Sequence, residues 1–145
     1  MKISTKGRYG LRILLDLALH GGEDAPRLMK DIARSQQISE KYISRLILPL
    51  NEAGFVTSFR GAKGGLKLAK PPKEITLLEI VEAMEGRVSI VECVFDKSFC
   101  PKSDDCSACR IWTSLNKKIR KQMDEITLKD LLKSEKKAKQ TVEKE

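Results

Sequence analysis

The chain has 145 residues, 41% of them hydrophobic and 33% charged, with four cysteines and a single histidine. That length fits one domain, or a small domain with an appendage. No stretch reaches the roughly 20 apolar residues of a membrane helix, and the basic start MKISTKGRYG runs to Leu11 without the apolar segment of a signal peptide.

A cytoplasmic protein is therefore expected, with reduced cysteines and no membrane partner. The net charge of +8 is unevenly spread. Residues 1–73 hold 14 Lys and Arg against 6 Asp and Glu, whereas residues 74–145 hold 14 of each sign. A basic unit joined to a neutral one points to a polyanion-binding part and a separate regulatory or assembly part.

Lys6 to His20 predicts a first helix, with Leu11, Leu14, Leu15, Ala18 and Leu19 as its apolar stripe and Gly21-Gly22 as its stop. His20 sits at the helix end, where a cation suits the dipole, so a capping role is expected of it rather than catalysis. A second helix is predicted from Arg27 to Ser35, followed by a short break. Ser39 then caps a third helix that buries Tyr42, Ile43, Leu46, Ile47 and Leu50. Pro49 is expected to kink or shorten this helix.

Helix, tight turn and helix form a helix-turn-helix. Lys41, Ser44 and Arg45 lie on the third helix's outer face, which suits a major groove as well as plain solvent. Phe55 to Arg60 alternates like a strand, Gly61 to Gly65 turns, and Leu66 to Ala69 returns. A hairpin directly after a helix-turn-helix is a winged helix, with Arg60 and Lys63 at its basic, glycine-rich tip.

Pro71-Pro72 marks the end of the first unit, 1–73. Thr76 and Glu79 form a capping box for a short helix that Gly86 ends. Cys93, Cys100, Cys106 and Cys109 follow within CVFDKSFCPKSDDCSAC, separated by six, five and two residues. Four thiolates gathered in one loop suit a metal ion or an iron–sulfur cluster. Asp104-Asp105 among them is expected to balance local charge.

Beyond the loop, a longer helix to about Glu125 carries Trp112, Leu115, Ile119, Met123 and Ile126 as one apolar seam. The seam suits either packing on the same chain or a dimerisation helix. Thr127 to Leu132 predicts one more helical turn, which closes the second unit, 74–132. Residues 133–145 have too few apolar side chains to fold alone and are expected to form a disordered tail. No catalytic constellation is present, so no enzymatic activity is expected.

Together MKISTKGRYGLRILLDLALH, ISEKYISRLILPLNEAGFVTSFRGAKGGLKLA, TLLEIVEAMEG, the cysteine loop and MDEITLKDLLK resemble the iron–sulfur cluster regulator (IscR) type of winged-helix transcription factor, a superfamily with NsrR-like and CymR-like branches. The resemblance implies a mainly α fold with a small β-hairpin, a homodimer joined through a long C-terminal helix, and binding to double-stranded promoter DNA.

By position it implies base reading by Ser39, Lys41, Tyr42, Ser44 and Arg45, and a minor-groove contact by Arg60 and Gly61. It further implies a 2Fe–2S cluster on Cys93, Cys100 and Cys106, with Cys109 standing where the family has a histidine. All-cysteine ligation would lower the reduction potential. Zinc is the alternative occupant of four thiolates. The resemblance implies a repressor of iron–sulfur assembly or redox and cysteine-metabolism genes. The alternative is a DNA-independent module that binds a metabolic enzyme and uses its cysteines structurally.

Overall fold

The computed structural model describes residues 1–21, 25–62 and 64–143. Lys63, expected at the wing tip, and Gly22 lie outside the described residues. Among those described, the order is α1 (Thr5–His20), α2 (Met29–Gln36), α3 (Glu40–Glu52), β1 (Val56–Phe59), β2 (Gly65–Leu68), α4 (Leu77–Glu85), α5 (Ser107–Glu125) and α6 (Leu128–Val142). The fold is mainly helical with one antiparallel hairpin, as the sequence predicts.

Local chemistry sets the helix boundaries. Ser39 accepts from the Tyr42 amide at 3.2 Å and starts α3. Thr76 with Glu79, and Thr127 with Asp130, form reciprocal capping boxes for α4 and α6. At the end of α1, the Gly21 amide donates to Leu17 O at 2.8 Å. Gln37 adopts left-handed backbone (φ 54°) and makes the tight turn between α2 and α3.

The core draws Ile13, Leu14 and Leu17 of α1, Ile32 of α2, and Ile43, Leu46 and Leu50 of α3 together with Phe55, Val56 and Leu66. Ile75, Ile80, Met84 and Leu128 enter the same core. α4 therefore lies directly on the helix-turn-helix. Gly10 permits this approach, because a Cβ there would sit 2.8 Å from Met84 Cγ. Glu85, at the end of α4, accepts from the Ser4 and Gly7 amides, each at 2.9 Å, and so places a carboxylate on the positive end of α1.

The hairpin pairs Val56 with Leu68 and Phe59 with Gly65. Arg27 adds a bridge on the outer side of β2: its N–H donates to Leu66 O at 2.9 Å, and the Leu66 N–H returns to Arg27 O at 2.8 Å. Gly65 makes room for that strand, since a Cβ there would meet Arg27 O at 2.5 Å.

Four local expectations change. α2 begins at Met29 rather than Arg27, because the Arg27 backbone is committed to the bridge with Leu66. α3 is not shortened at Pro49 but continues to Glu52. The lost bond falls in the last turns, and Ala53 N–H to Pro49 O (3.0 Å) and Phe55 N–H to Leu50 O (3.0 Å) hold the end closed.

The cysteine segment is less irregular than its composition predicts, with single 3-10 turns at Glu92–Val94 and Lys97–Phe99. Finally, α6 runs on to Val142, where a short turn and a tail are expected. Its Lys, Glu, Ala and Gln residues favour helix, and Lys139 faces Glu135 one turn back at 3.6 Å.

Candidate nucleic-acid interface and cysteine loop

The third helix and the hairpin are tied to α1 through one polar hub. Asp16 is fully buried on α1. Its Oδ1 accepts from Arg27 Nε at 2.9 Å, and its Oδ2 accepts from Gln36 Nε2 at 3.0 Å and from the Ser35 hydroxyl. Burial alone would raise the Asp16 carboxyl. The hydrogen bonds from Ser35, Gln36 and Arg27, with the Arg27 charge, outweigh it and hold the group below its ordinary range.

Arg12 extends the hub, donating from Nε to Gln36 Oε1 at 3.1 Å and lying over the Tyr9 ring. Tyr9 in turn meets Tyr42 edge-on, with centroids 6.0 Å apart. α1, α2, α3 and the outer bridge of the wing thus share one network. Asp16 and Arg27 escape sequence reasoning, although a lone carboxylate among the apolar residues of the first helix was the available signal.

On α3, Lys41, Ser44 and Arg45 are exposed, Tyr42 is half-buried against Tyr9, and Ser39 is exposed while it caps the helix. The Ser44 hydroxyl donates to Glu40 O at 2.9 Å, so its proton is spent within the helix. Arg60 and Gly61 are exposed at the wing turn, where Gly61 has φ 98°. Between α3 and the wing lies a cleft of about 430 Å³, lined by Met29, Leu48, Asn51, Phe59 and Gly64 among others. Asn51 Nδ2 donates to Ser58 Oγ across it at 3.1 Å and fixes the spacing of helix and wing.

The cysteines stand at the entry to α5. Cys106 is its N-cap, and its sulfur accepts from the Cys109 amide at 3.4 Å. Cys109 is buried in the first turn, with its thiol 3.7 Å from the Cys93 carbonyl oxygen. Loss of solvent first, then the hydrogen bond and charge of Cys109 and the charge of Cys100, push the Cys93 thiol upward.

The loop is braced by Ser103, whose hydroxyl donates to Lys97 O at 2.6 Å and whose amide donates to Cys100 O at 3.0 Å. Asp104 faces Lys97 at 3.1 Å, in the expected charge-balancing arrangement. Among the described residues, no three His, Cys, Asp or Glu side chains converge as ligands of one metal ion. By donor chemistry alone, four thiols in one segment fit an iron–sulfur cluster as they fit a zinc ion.

The apolar seam of α5 divides. Met123 is buried and Ile119 half-buried against Leu78, Val81 and Val88 of the same chain, and Ile126 is half-buried. Trp112 and Leu115, at 41% and 42% exposure, face outward. The first half of the seam is thus exposed, and the second half is largely covered by its own chain.

Residues 3–134 match the family described as "Rrf2: Iron-dependent Transcriptional regulator". The chain is 41% identical over 132 residues to protein rrf2 of Nitratidesulfovibrio vulgaris, which covers 91% of this chain and 87% of that protein. The structure of CymR, the global cysteine regulator of B. subtilis, superposes with a TM-score of 0.75 at 38% identity, covering 92% of this chain and 98% of that one. IscR of T. potens superposes at 0.71 with 38% identity, covering 95% and 90%. These relatives are regulators rather than enzymes, and the chain belongs to the Rrf2 family of winged-helix transcriptional regulators.

Proposed function

We propose that this chain is a cytoplasmic, dimeric repressor of double-stranded promoter DNA, responsive to a 2Fe–2S cluster held by Cys93, Cys100, Cys106 and Cys109. Residues 1–73 form the DNA-binding unit, with Ser39, Lys41, Tyr42, Ser44 and Arg45 toward the major groove and Arg60 and Gly61 toward the minor groove. Residues 74–132 form the sensing and dimerising unit. The controlled genes serve iron–sulfur assembly, redox balance or cysteine metabolism.

The observation that carries this reading is that the cysteine loop is built into the start of α5. Cys106 caps that helix and Cys109 lies in its first turn, one turn before Trp112. Ligation there bears directly on the segment whose exposed face would join two protomers. Protomer spacing in turn sets whether two reading helices reach successive major grooves.

When bound, the cluster supplies a redox-active and oxidant-labile group. The chain's own part is to hold the thiolates, with the Cys109 amide on Cys106 and the Ser103 hydrogen bonds bracing the loop. A four-thiolate zinc site is the second reading, favoured by the same all-cysteine set. Protein purified without oxygen should be brown, with iron and acid-labile sulfide in near-equal amounts. Colourless protein with stoichiometric zinc would replace the cluster reading with the zinc one.

A further inference from the structure

The polar face of α3 contains a large apolar side chain that the DNA-binding reading leaves without a role. Leu48 is 61% exposed, although it lies in the middle of an ordered helix. It follows Lys41, Ser44 and Arg45 at spacings of seven, four and three residues, so all four project from one face. Homeodomain reading helices present their base-contacting side chains at this same spacing. Leu48 also lines the cleft between α3 and the wing, together with Phe59.

An exposed leucine between Arg45 and the basic wing would be out of place against an acidic protein surface. It suits the one apolar group that duplex DNA displays in its major groove, the 5-methyl of thymine. The neighbouring Ser44 sharpens the argument. Its hydroxyl proton is donated to Glu40 O at 2.9 Å, so this turn of the helix offers a base edge one less hydrogen-bond donor. With that bond made, Ser44 meets a base edge as an acceptor only, and apolar reading falls to the next turn.

The geometry points to Leu48 as a specificity-determining residue that packs against a thymine 5-methyl in the major groove. This rests on the DNA-binding reading above and adds the base class that the helix selects. Because Leu48 touches solvent rather than core, its truncation leaves the fold intact.

The test uses the full-length dimer and a duplex selected in vitro from a random library. Each thymine of the selected site is replaced in turn by deoxyuridine, which lacks only the methyl group. Wild type should lose about fourfold in affinity at one or two thymines, the effect of removing one buried methyl. Leu48→Ala should bind the selected duplex more weakly and should not distinguish thymine from uracil at those positions.

The inference is overturned if wild type is indifferent to uracil at every position, if the selected site has no thymine, or if Leu48→Ala keeps the full uracil penalty. In all three cases sequence-specific binding itself survives. Equal wild-type affinity for selected and scrambled duplexes would instead remove the DNA-reading proposal on which this one stands. Melting of Leu48→Ala at the wild-type temperature excludes misfolding as the cause.

Discussion

Arg27 joins the wing to the first helix. Its Nε donates to the buried Asp16 carboxylate at 2.9 Å, and its backbone pairs with Leu66 on β2. The wing is thereby tied to α1 through a single residue. Asp16→Ala strands the Arg27 guanidinium in a largely buried position and should cost about 3 kcal/mol of stability. Arg27→Ala should cost a comparable amount, and the double variant should cost less than the sum of the two. Urea titration of the three variants checks this.

The same carboxylate makes stability depend on pH. The folded-state pKa of Asp16 lies below its unfolded value, so its contribution is fully present above the unfolded pKa and is lost as pH falls through the folded one. Wild-type stability should therefore drop more steeply than that of Asp16→Asn between about pH 5 and about pH 3. Parallel slopes would mean that the hub contributes nothing that depends on ionisation.

The divided seam of α5 predicts two different outcomes for similar substitutions. Leu115→Asp alters the exposed half and should give a folded monomer with near-wild-type melting. Ile119→Asp places a charge against Leu78, Val81 and Val88 and should destabilise the chain itself by several kcal/mol, on the order of 3. Sedimentation and thermal melting separate the two. A wild type that sediments as a monomer at micromolar concentration would remove the dimer from the account.

Wing and reading helix should differ in how they fail. Arg60→Ala should weaken selected and random DNA by similar factors, with a salt slope shallower by about one unit. Lys41→Ala and Arg45→Ala should lose about 1–3 kcal/mol on the selected site and less on random DNA. Equal losses for all three variants on both duplexes would leave a basic surface without sequence preference.

Much of this was legible before any coordinates, because the signals are local. Ser39 before the third helix, Thr76 with Glu79, and the glycine-rich turn after Phe59 each determine their own few residues. The Asp16–Arg27 pair was hidden, because it joins positions that only the packed α1–α2 corner brings together. The split of the α5 seam was hidden for a related reason: periodicity identifies an apolar face, while the position of α4 decides what covers it. Pro49 does not end α3, because the cost of a proline depends on its distance from the helix end. The four cysteines stand close together in sequence, but Cys106 as the cap of α5 emerges only from the backbone.

The measurement that bears most directly on the central claim is titration of one promoter duplex with protein purified without oxygen, before and after its metal is removed by chelation. Coupling between the cysteine loop and the reading helices predicts a change in Kd of about tenfold or more. That change should be absent in Cys106→Ala, which should behave throughout like the stripped protein. Identical affinities for loaded and stripped wild type would contradict the account and leave the loop a structural feature of a regulator that senses nothing through it.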